Sequence, residues 1–230
     1  MHDFLCISSV WGTVLTVSCF ALCFLVQKRI KKAWCNPLML STILVGAFLL
    51  LEKIPYSLYR ESSSLLSWLL LPATVSLAIP LFEQWELLKK NWAAILCGIC
   101  AGVITSLLCA VVLAKCFSLP TEVAVSMLPK SVTTAIGADL SAELGGIPSL
   151  SIVLIISTGI MGNILAPSVC RWLKLRSPVA RGVAIGTAAH AIGTTKAMEM
   201  GDIEGAMSGL AIAVAGILTA VLMPLAVKLL

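Results

Sequence analysis

WAAILCGICAGVITSLLCAVVLA, residues 92–114, runs without one charged side chain. About 20 helical residues cross the roughly 30 Å hydrocarbon layer of a bilayer, so this stretch is long enough to span one. Comparable runs occupy Phe4–Val26, Pro37 to about Ile54, Leu65–Phe82, Ser149–Cys170 and Gly205–Leu229. The composition agrees: of 230 residues, 59% are hydrophobic and 12% charged, with a mean hydropathy of +1.03. An ordinary soluble domain carries about 25% charged residues and is excluded. A transmembrane barrel would alternate apolar and polar residues over strands of about 10, whereas these runs are continuous, which predicts helices. The first run has neither a basic leader nor a small-residue cleavage site and is expected to be a retained span rather than a signal peptide.

The predicted fold is an all-α polytopic membrane protein, with about five to seven transmembrane helices and two interrupted or re-entrant helical segments. Residues 1–230 read as a single integral membrane domain. Within it, residues 1–116 form amino-terminal helices with a scaffold role, and 119–170 and 179–230 form two candidate repeat units. Leu65–Phe82 contains Pro72 and Pro80, each lacking a backbone donor and expected to break its helix. The span at 92–114 has no proline, and its Gly98 and Gly102 stand at the G-x-x-x-G spacing that lets helices pack closely.

Lysine and arginine number 16 against 11 acids, a net charge of +5. Lys28, Arg29, Lys31 and Lys32 form one basic cluster and Arg171, Lys174, Arg176 and Arg181 another, both beside span ends where such charges set orientation. No groove-reading basic element suggests nucleic-acid binding. Of the nine cysteines, Cys6, Cys19, Cys23, Cys97, Cys100, Cys109 and Cys170 lie in or beside apolar runs, where free cysteine acts as a small hydrophobe. The Cys97-x-x-Cys100 pair is embedded in a span, without the helix-start setting of a redox site. His2 and His190 supply no zinc constellation, and His190 has no local serine and acid from which to build a triad. Neither a metal, a cofactor nor an enzymatic activity is predicted.

Two segments depart from plain spans. Leu119–Leu144 is apolar until Pro129, Lys130, Ser131, Thr133 and Thr134, then carries Asp139 and Glu143 before the turn at Gly145 and Gly146. Val179–Glu204 is small and apolar until His190, Gly193, Thr194, Thr195 and Lys196, then carries Glu199, Asp202 and Glu204. Each joins a Thr-Thr pair to a lysine, continues to acids and opens a long apolar helix. Weak internal symmetry of this kind is the signature of repeat-built transporters, whose sites lie at interrupted helices. Charge bias adds a direction. With the first basic cluster cytoplasmic, 119–144 begins outside, and the second cluster returns inside only if that segment dips in and comes back. The two segments then enter from opposite faces as an inverted repeat; an unequal pair of broken crossing helices fits the sequence almost as well.

Lys130 and Lys196 bring positive charge into a low-dielectric setting where an unpaired ammonium is costly. Ser131, Thr133, Thr134, Thr194 and Thr195 add hydroxyls, and broken helix ends add N–H groups. With His190, these residues form the predicted substrate site, suited to a small carboxylate. Asp139, Glu143, Glu199 and His190 are candidates for proton coupling, the acids alternatively pairing with the lysines. Pro72, Pro80, Pro129, Gly145, Gly146 and Gly193 are the candidate helix-break positions.

The segments LPATVSLAIPLF, MLPKSVTTAIG, GGIPSLS, TGIMGN and AAHAIGTTKAMEMGDIEGAMSGLA resemble the signatures of the LrgB/CidB family, to which the carboxy-terminal domain of the plastid glycolate/glycerate transporter is related. The resemblance covers nearly the whole chain. It implies a multi-pass protein of the bacterial cytoplasmic membrane, commonly working with a small holin-like partner of the LrgA/CidA type. One implied role is modulation of murein hydrolase activity and lysis without carrier activity of its own. The plastid relative instead implies export or import of small carboxylates such as glycolate, pyruvate or lactate, with lysis control as a consequence. Homo-oligomers are also compatible with the glycine-rich faces. Ala135 stands where the family commonly has proline, Ala189 where serine precedes the histidine, and Lys196 where arginine is common. Lysine keeps the charge but lacks the fork that holds a carboxylate plane.

Overall fold

The computed structural model describes residues 10–30, 37–76 and 78–230, and among these the regular elements are helices. His2, Cys6, Lys31 and Lys32 lie outside the described residues. The chain divides into two compact units after Ser76.

The first unit holds α1 (Trp11–Ile30), α2 (Pro37–Leu51), α3 (Tyr56–Ser62) and α4 (Ser64–Ser76). Helix α1 turns its small and polar positions inward. Thr13 Oγ1 donates to the Ser62 carbonyl at 3.1 Å, Thr16 Oγ1 and Tyr59 Oη are 2.7 Å apart, and the Trp11 and Tyr59 rings lie 6.1 Å apart. Val14, Val17, Leu22, Phe24 and Leu25 face outward. An apolar outer surface over a polar contact seam suits a helix solvated by lipid, where hydrophobic burial between helices contributes little and packing and hydrogen bonds hold them.

Among the described residues four helices are long and apolar enough to cross a membrane: Trp11–Ile30, Trp85–Cys116, Pro148–Trp172 and Asp202–Val227. The other expected spans come out shorter. Helix α2 has 15 residues, rising about 22 Å. The Leu65–Phe82 run is carried by α4, of 13 residues, and α5 (Ala78–Glu83), of 6. Neither proline ends a helix. Pro72 sits inside α4, which continues to Ser76 with one intrahelical bond missing. Pro80 is in the first turn of α5, where N–H groups have no intrahelical partner to lose.

The second unit comprises α5, α6 (Trp85–Cys116), α7 (Thr121–Met127), α8 (Thr134–Glu143), α9 (Pro148–Trp172), α10 (Pro178–Met200) and α11 (Asp202–Val227). Helix α6 starts seven residues before the apolar run and reaches 32 residues, about 48 Å. Its buried stripe, Ile95, Ile99, Val103, Leu107 and Ala110, recurs at helical spacing and joins Met207, Ala211, Ala215 and Met223 of α11 in one core. Ile104, Leu108 and Val112 cover its opposite, exposed face. The Gly98 and Gly102 face lies against α10, since a Cβ built at Gly102 would stand 2.6 Å from Thr187 Cγ2. Missing side-chain atoms thus let α6 and α10 approach.

The two interrupted segments have one plan. In the first, α7 ends at Met127, residues 128–133 form an irregular loop, α8 follows, and Gly145 and Gly146 turn the chain into the 25-residue α9. Gly145 has φ +82°, a left-handed conformation that glycine adopts without a Cβ clash. In the second, α10 is interrupted at His190 and resumes to Met200, and Gly201 leads into the 26-residue α11. Asp202 and Glu204 belong to the first turn of α11 rather than to the interrupted segment, where their charge complements the helix N-terminus.

Candidate functional site

The loop 128–133 opens around Pro129, which has no N–H to donate to a continuing helix. Val132 N–H donates to the Pro129 carbonyl at 3.2 Å and Lys130 N–H to the Met127 carbonyl at 3.3 Å. Thr133, in extended backbone, is the residue from which α8 starts. The loop holds Lys130 half-buried, with its Nζ donating to Ser106 Oγ at 2.9 Å and to Ser131 Oγ at 3.3 Å. The two hydroxyls are 3.0 Å from each other. Ion pairs among the described residues join Lys89 to Glu86, Arg181 to Glu204 and Lys196 to Glu199, so Lys130 is held by hydroxyls with no carboxylate in salt-bridge range.

Lys130 and Ser131 line a cavity of about 610 Å³ between α6, α9 and α10. Its polar contributors are Thr105 and Ser106 of α6, Thr158 of α9 and Thr187 of α10, and its wall beside Ala184 and Ala188 is built of Gly98, Ala101 and Gly102. Both interrupted segments therefore reach one cavity, the first through Lys130 and Ser131, the second through Thr187 and Ala188. Thr187 Oγ1 donates to the Val183 carbonyl at 2.8 Å, leaving its lone pairs as the hydroxyl's remaining capacity.

The second break is compact. His190 has φ 42° and ψ −141° inside α10, a combination that costs a residue bearing a Cβ about 1–3 kcal/mol and persists only where its surroundings hold it. They do so here from two sides. His190 Nε2 is 3.0 Å from the Ile155 carbonyl, and Thr194 Oγ1 donates to the His190 carbonyl at 3.0 Å while lying 2.7 Å from Ser208 Oγ. His190 is 2% exposed and Thr194 equally buried. The His190 carbonyl at the break thus accepts a side-chain hydrogen bond within the protein. Gly193 is buried inside the resumed helix, and the interruption stands three residues earlier, at the histidine. Asn163 Nδ2 ties the resumed helix to α9 through the Ile192 carbonyl at 2.8 Å and Thr195 Oγ1 at 2.9 Å.

The predicted residues therefore separate into groups. Lys130 and Ser131 line the cavity, with Thr133 and Thr134 at the start of α8 beyond it. His190 and Thr194 form the buried break, and Thr195 is engaged with Asn163. Lys196 Nζ meets Glu199 Oε2 at 2.6 Å in a partly exposed i, i+3 pair, and neither lines the cavity. Asp139 and Glu143 are exposed on α8. Ser106, Thr158, Thr187 and Asn163 are additions that sequence reasoning left out. Ser106 follows Gly98 and Gly102 at the same four-residue spacing, so the small-residue stripe of the scaffold helix was the available signal. Among the described residues no group of three or more His, Cys, Asp or Glu could hold a metal ion.

Comparison with known proteins bears on this arrangement as a whole. No solved structure matches the chain. It is 34% identical over 216 residues to protein YxaC of Bacillus subtilis (strain 168), covering 94% of each chain. It shows the same identity, over the same length and the same shares, to the antiholin-like protein LrgB of Bacillus cereus (strain B4264). The model of the LrgB-like family matches residues 16–229. With four helices among the described residues long and apolar enough to cross a membrane and a match across nearly its whole length, this multi-pass bacterial membrane protein belongs to the LrgB-like family.

Proposed function

We propose that the protein carries small monocarboxylates, of the glycolate, pyruvate or lactate class, across the bacterial membrane, and that its link to autolysis follows from that transport. The observation that supports this reading is Lys130: a half-buried ammonium at a helix break, facing a largely apolar cavity that carries a few hydroxyls, with no carboxylate beside it. Such a charge is expensive in a low-dielectric setting unless an anion or water compensates it. One ammonium matches one carboxylate, and Ser106, Ser131, Thr158 and Thr187 supply hydroxyls for the remaining oxygens. A cavity of about 610 Å³ holds a three-carbon acid together with water.

The common plan of the interrupted segments supports an inverted repeat in which 119–170 and 179–230 are the two units. On that reading α2, the α4 and α5 region and α10 also lie in the bilayer, giving about five to seven crossings, and the breaks provide alternating access to Lys130. The name of the Bacillus cereus relative, antiholin-like protein LrgB, favours a second reading: an accessory that modulates murein hydrolases beside a small LrgA/CidA-type partner, or as a homo-oligomer, without carrying solute. Uptake of labelled glycolate, pyruvate and lactate into liposomes holding the purified protein alone, with and without a proton gradient, separates the two. Saturable uptake lost in Lys130→Ala is the expected result. Its absence with folded wild-type protein overturns carriage and leaves the accessory role.

A further inference from the structure

The second basic cluster does more than set orientation. Where α9 ends and α10 begins, Pro167, Cys170, Leu175 and Met200 with Arg171, Lys174, Arg176 and Arg181 line a concavity of about 500 Å³. Charge bias alone asks for cations near a span end; it does not ask that they surround a hollow.

The hollow is built. Arg181 is fixed in its wall: Nε donates to the Leu175 carbonyl at 2.9 Å, Nη2 to the Arg176 carbonyl at 3.3 Å, and Nη1 to Glu204 Oε1 at 3.2 Å. Glu204 is buried and neutralises that one guanidinium. Arg171, Lys174 and Arg176 remain exposed and are absent from the ion pairs among the described residues. The turn that presents them is closed by Leu175 N–H donating to the Cys170 carbonyl at 2.9 Å and Lys174 N–H to the Arg171 carbonyl at 3.1 Å. This is the helix ending at which glycine ordinarily stands. Lys174 occupies it with φ 52°, so a cation takes a position that glycine would fill with less strain. Pro167 and Met200 add apolar lining, and the neighbouring Trp172 is 80% exposed, as aromatic side chains at the interfacial level of a membrane are.

We infer that this concavity binds a phosphate-bearing anion through Arg171, Lys174 and Arg176, with Arg181 holding the frame. Arginine forks suit phosphate oxygens, and the apolar lining at a span end suits the glycerol and upper acyl region of an anionic phospholipid. A soluble phosphate shares the headgroup's chemistry and is the other source.

The test uses the full chain in detergent, measuring thermal protection and lipid retention by native mass spectrometry with phosphatidylglycerol, phosphatidylcholine and inorganic phosphate in separate arms. Retention of phosphatidylglycerol over phosphatidylcholine, reduced about tenfold in Arg171→Ala/Arg176→Ala and unchanged in Lys89→Ala/Lys90→Ala, supports a lipid site. Protection by inorganic phosphate, with no added effect from phosphatidylglycerol and the same dependence on Arg171 and Arg176, supports the site with a soluble ligand. Lys174→Gly separates binding from folding: it keeps or raises intrinsic thermal stability while weakening the anion. Equal losses in the Lys89 and Lys90 control, or full retention in the Arg171 and Arg176 variant, overturn the proposal.

Discussion

The two interrupted segments spend their breaks differently. The first opens a loop over residues 128–133 and brings a lysine to a cavity wall; the second confines its break to one residue, His190, and buries it. A proline stands at the first, its missing donor falling just past Met127, where that helix stops. No proline or glycine stands at position 190, so a tertiary hydrogen bond to the Ile155 carbonyl and a local one from Thr194, one turn on, hold the second. The difference assigns charge to one segment and backbone geometry to the other. Two chemically similar motifs thereby acquire separate work: Lys130 meets hydroxyls in the cavity, whereas Lys196 meets its own carboxylate, Glu199.

The largest effect expected from breaking that contrast is on Lys130. Lys130→Ala should reduce liposome uptake about 100-fold, the loss of one charge-assisted contact, while Lys130→Arg, which keeps charge but changes reach and hydrogen-bond geometry, should retain part of it. Uptake assays at equal incorporation check both. A wild-type rate in Lys130→Ala would remove the charge from the first segment's account.

Next comes the histidine. His190→Ala should lower stability by about 2 kcal/mol, because it removes the ring's bond to the Ile155 carbonyl and the packing of a buried side chain. His190→Gly should be the more stable of the two by about 1 kcal/mol, since glycine accepts φ 42° freely. Thermal unfolding of the two variants in one detergent decides the order; the reverse order would mean that the backbone at 190 is not strained.

Thr194→Val should cost about 1 kcal/mol, the typical net value of a hydrogen bond, through the lost contacts to the His190 carbonyl and Ser208. The same unfolding measurement applies, and a null result would locate the support of the break in Ile155 alone. The smallest effect belongs to Lys196→Ala. Its pair with Glu199 is partly solvent-exposed, and pairs of that kind contribute less than about 1 kcal/mol. Uptake near the wild-type rate would sharpen the contrast with Lys130, whereas a loss as deep as that of Lys130→Ala would collapse it.

Much of this was legible along the chain and some was not. The loop at 128–133 was readable because Pro129 acts locally. Local propensity points to Gly193, a residue of weak helix propensity, whereas the break stands at His190, whose ring meets the distant Ile155 carbonyl. Pro72 and Pro80 read as breaks, yet one helix tolerates its missing bond and the other places its proline where no donor is needed. Ser106 was hidden because periodicity marks it only as one more small residue on a packing face.

By itself the sequence determined the all-helical, membrane-embedded character of the protein, its family and the interrupted nature of two segments, since these follow from composition, run length and local breakers. Only the tertiary structure decided which lysine faces a cavity and which is paired, that the break of α10 falls on a histidine, and that four basic residues enclose a hollow. The local Lys196–Glu199 pair aside, the setting of Lys130 and the break at His190 depend on contacts between residues 24 and 35 positions apart, Ser106 with Lys130 and Ile155 with His190. No periodicity within one helix encodes such pairings; they are settled when the helices pack.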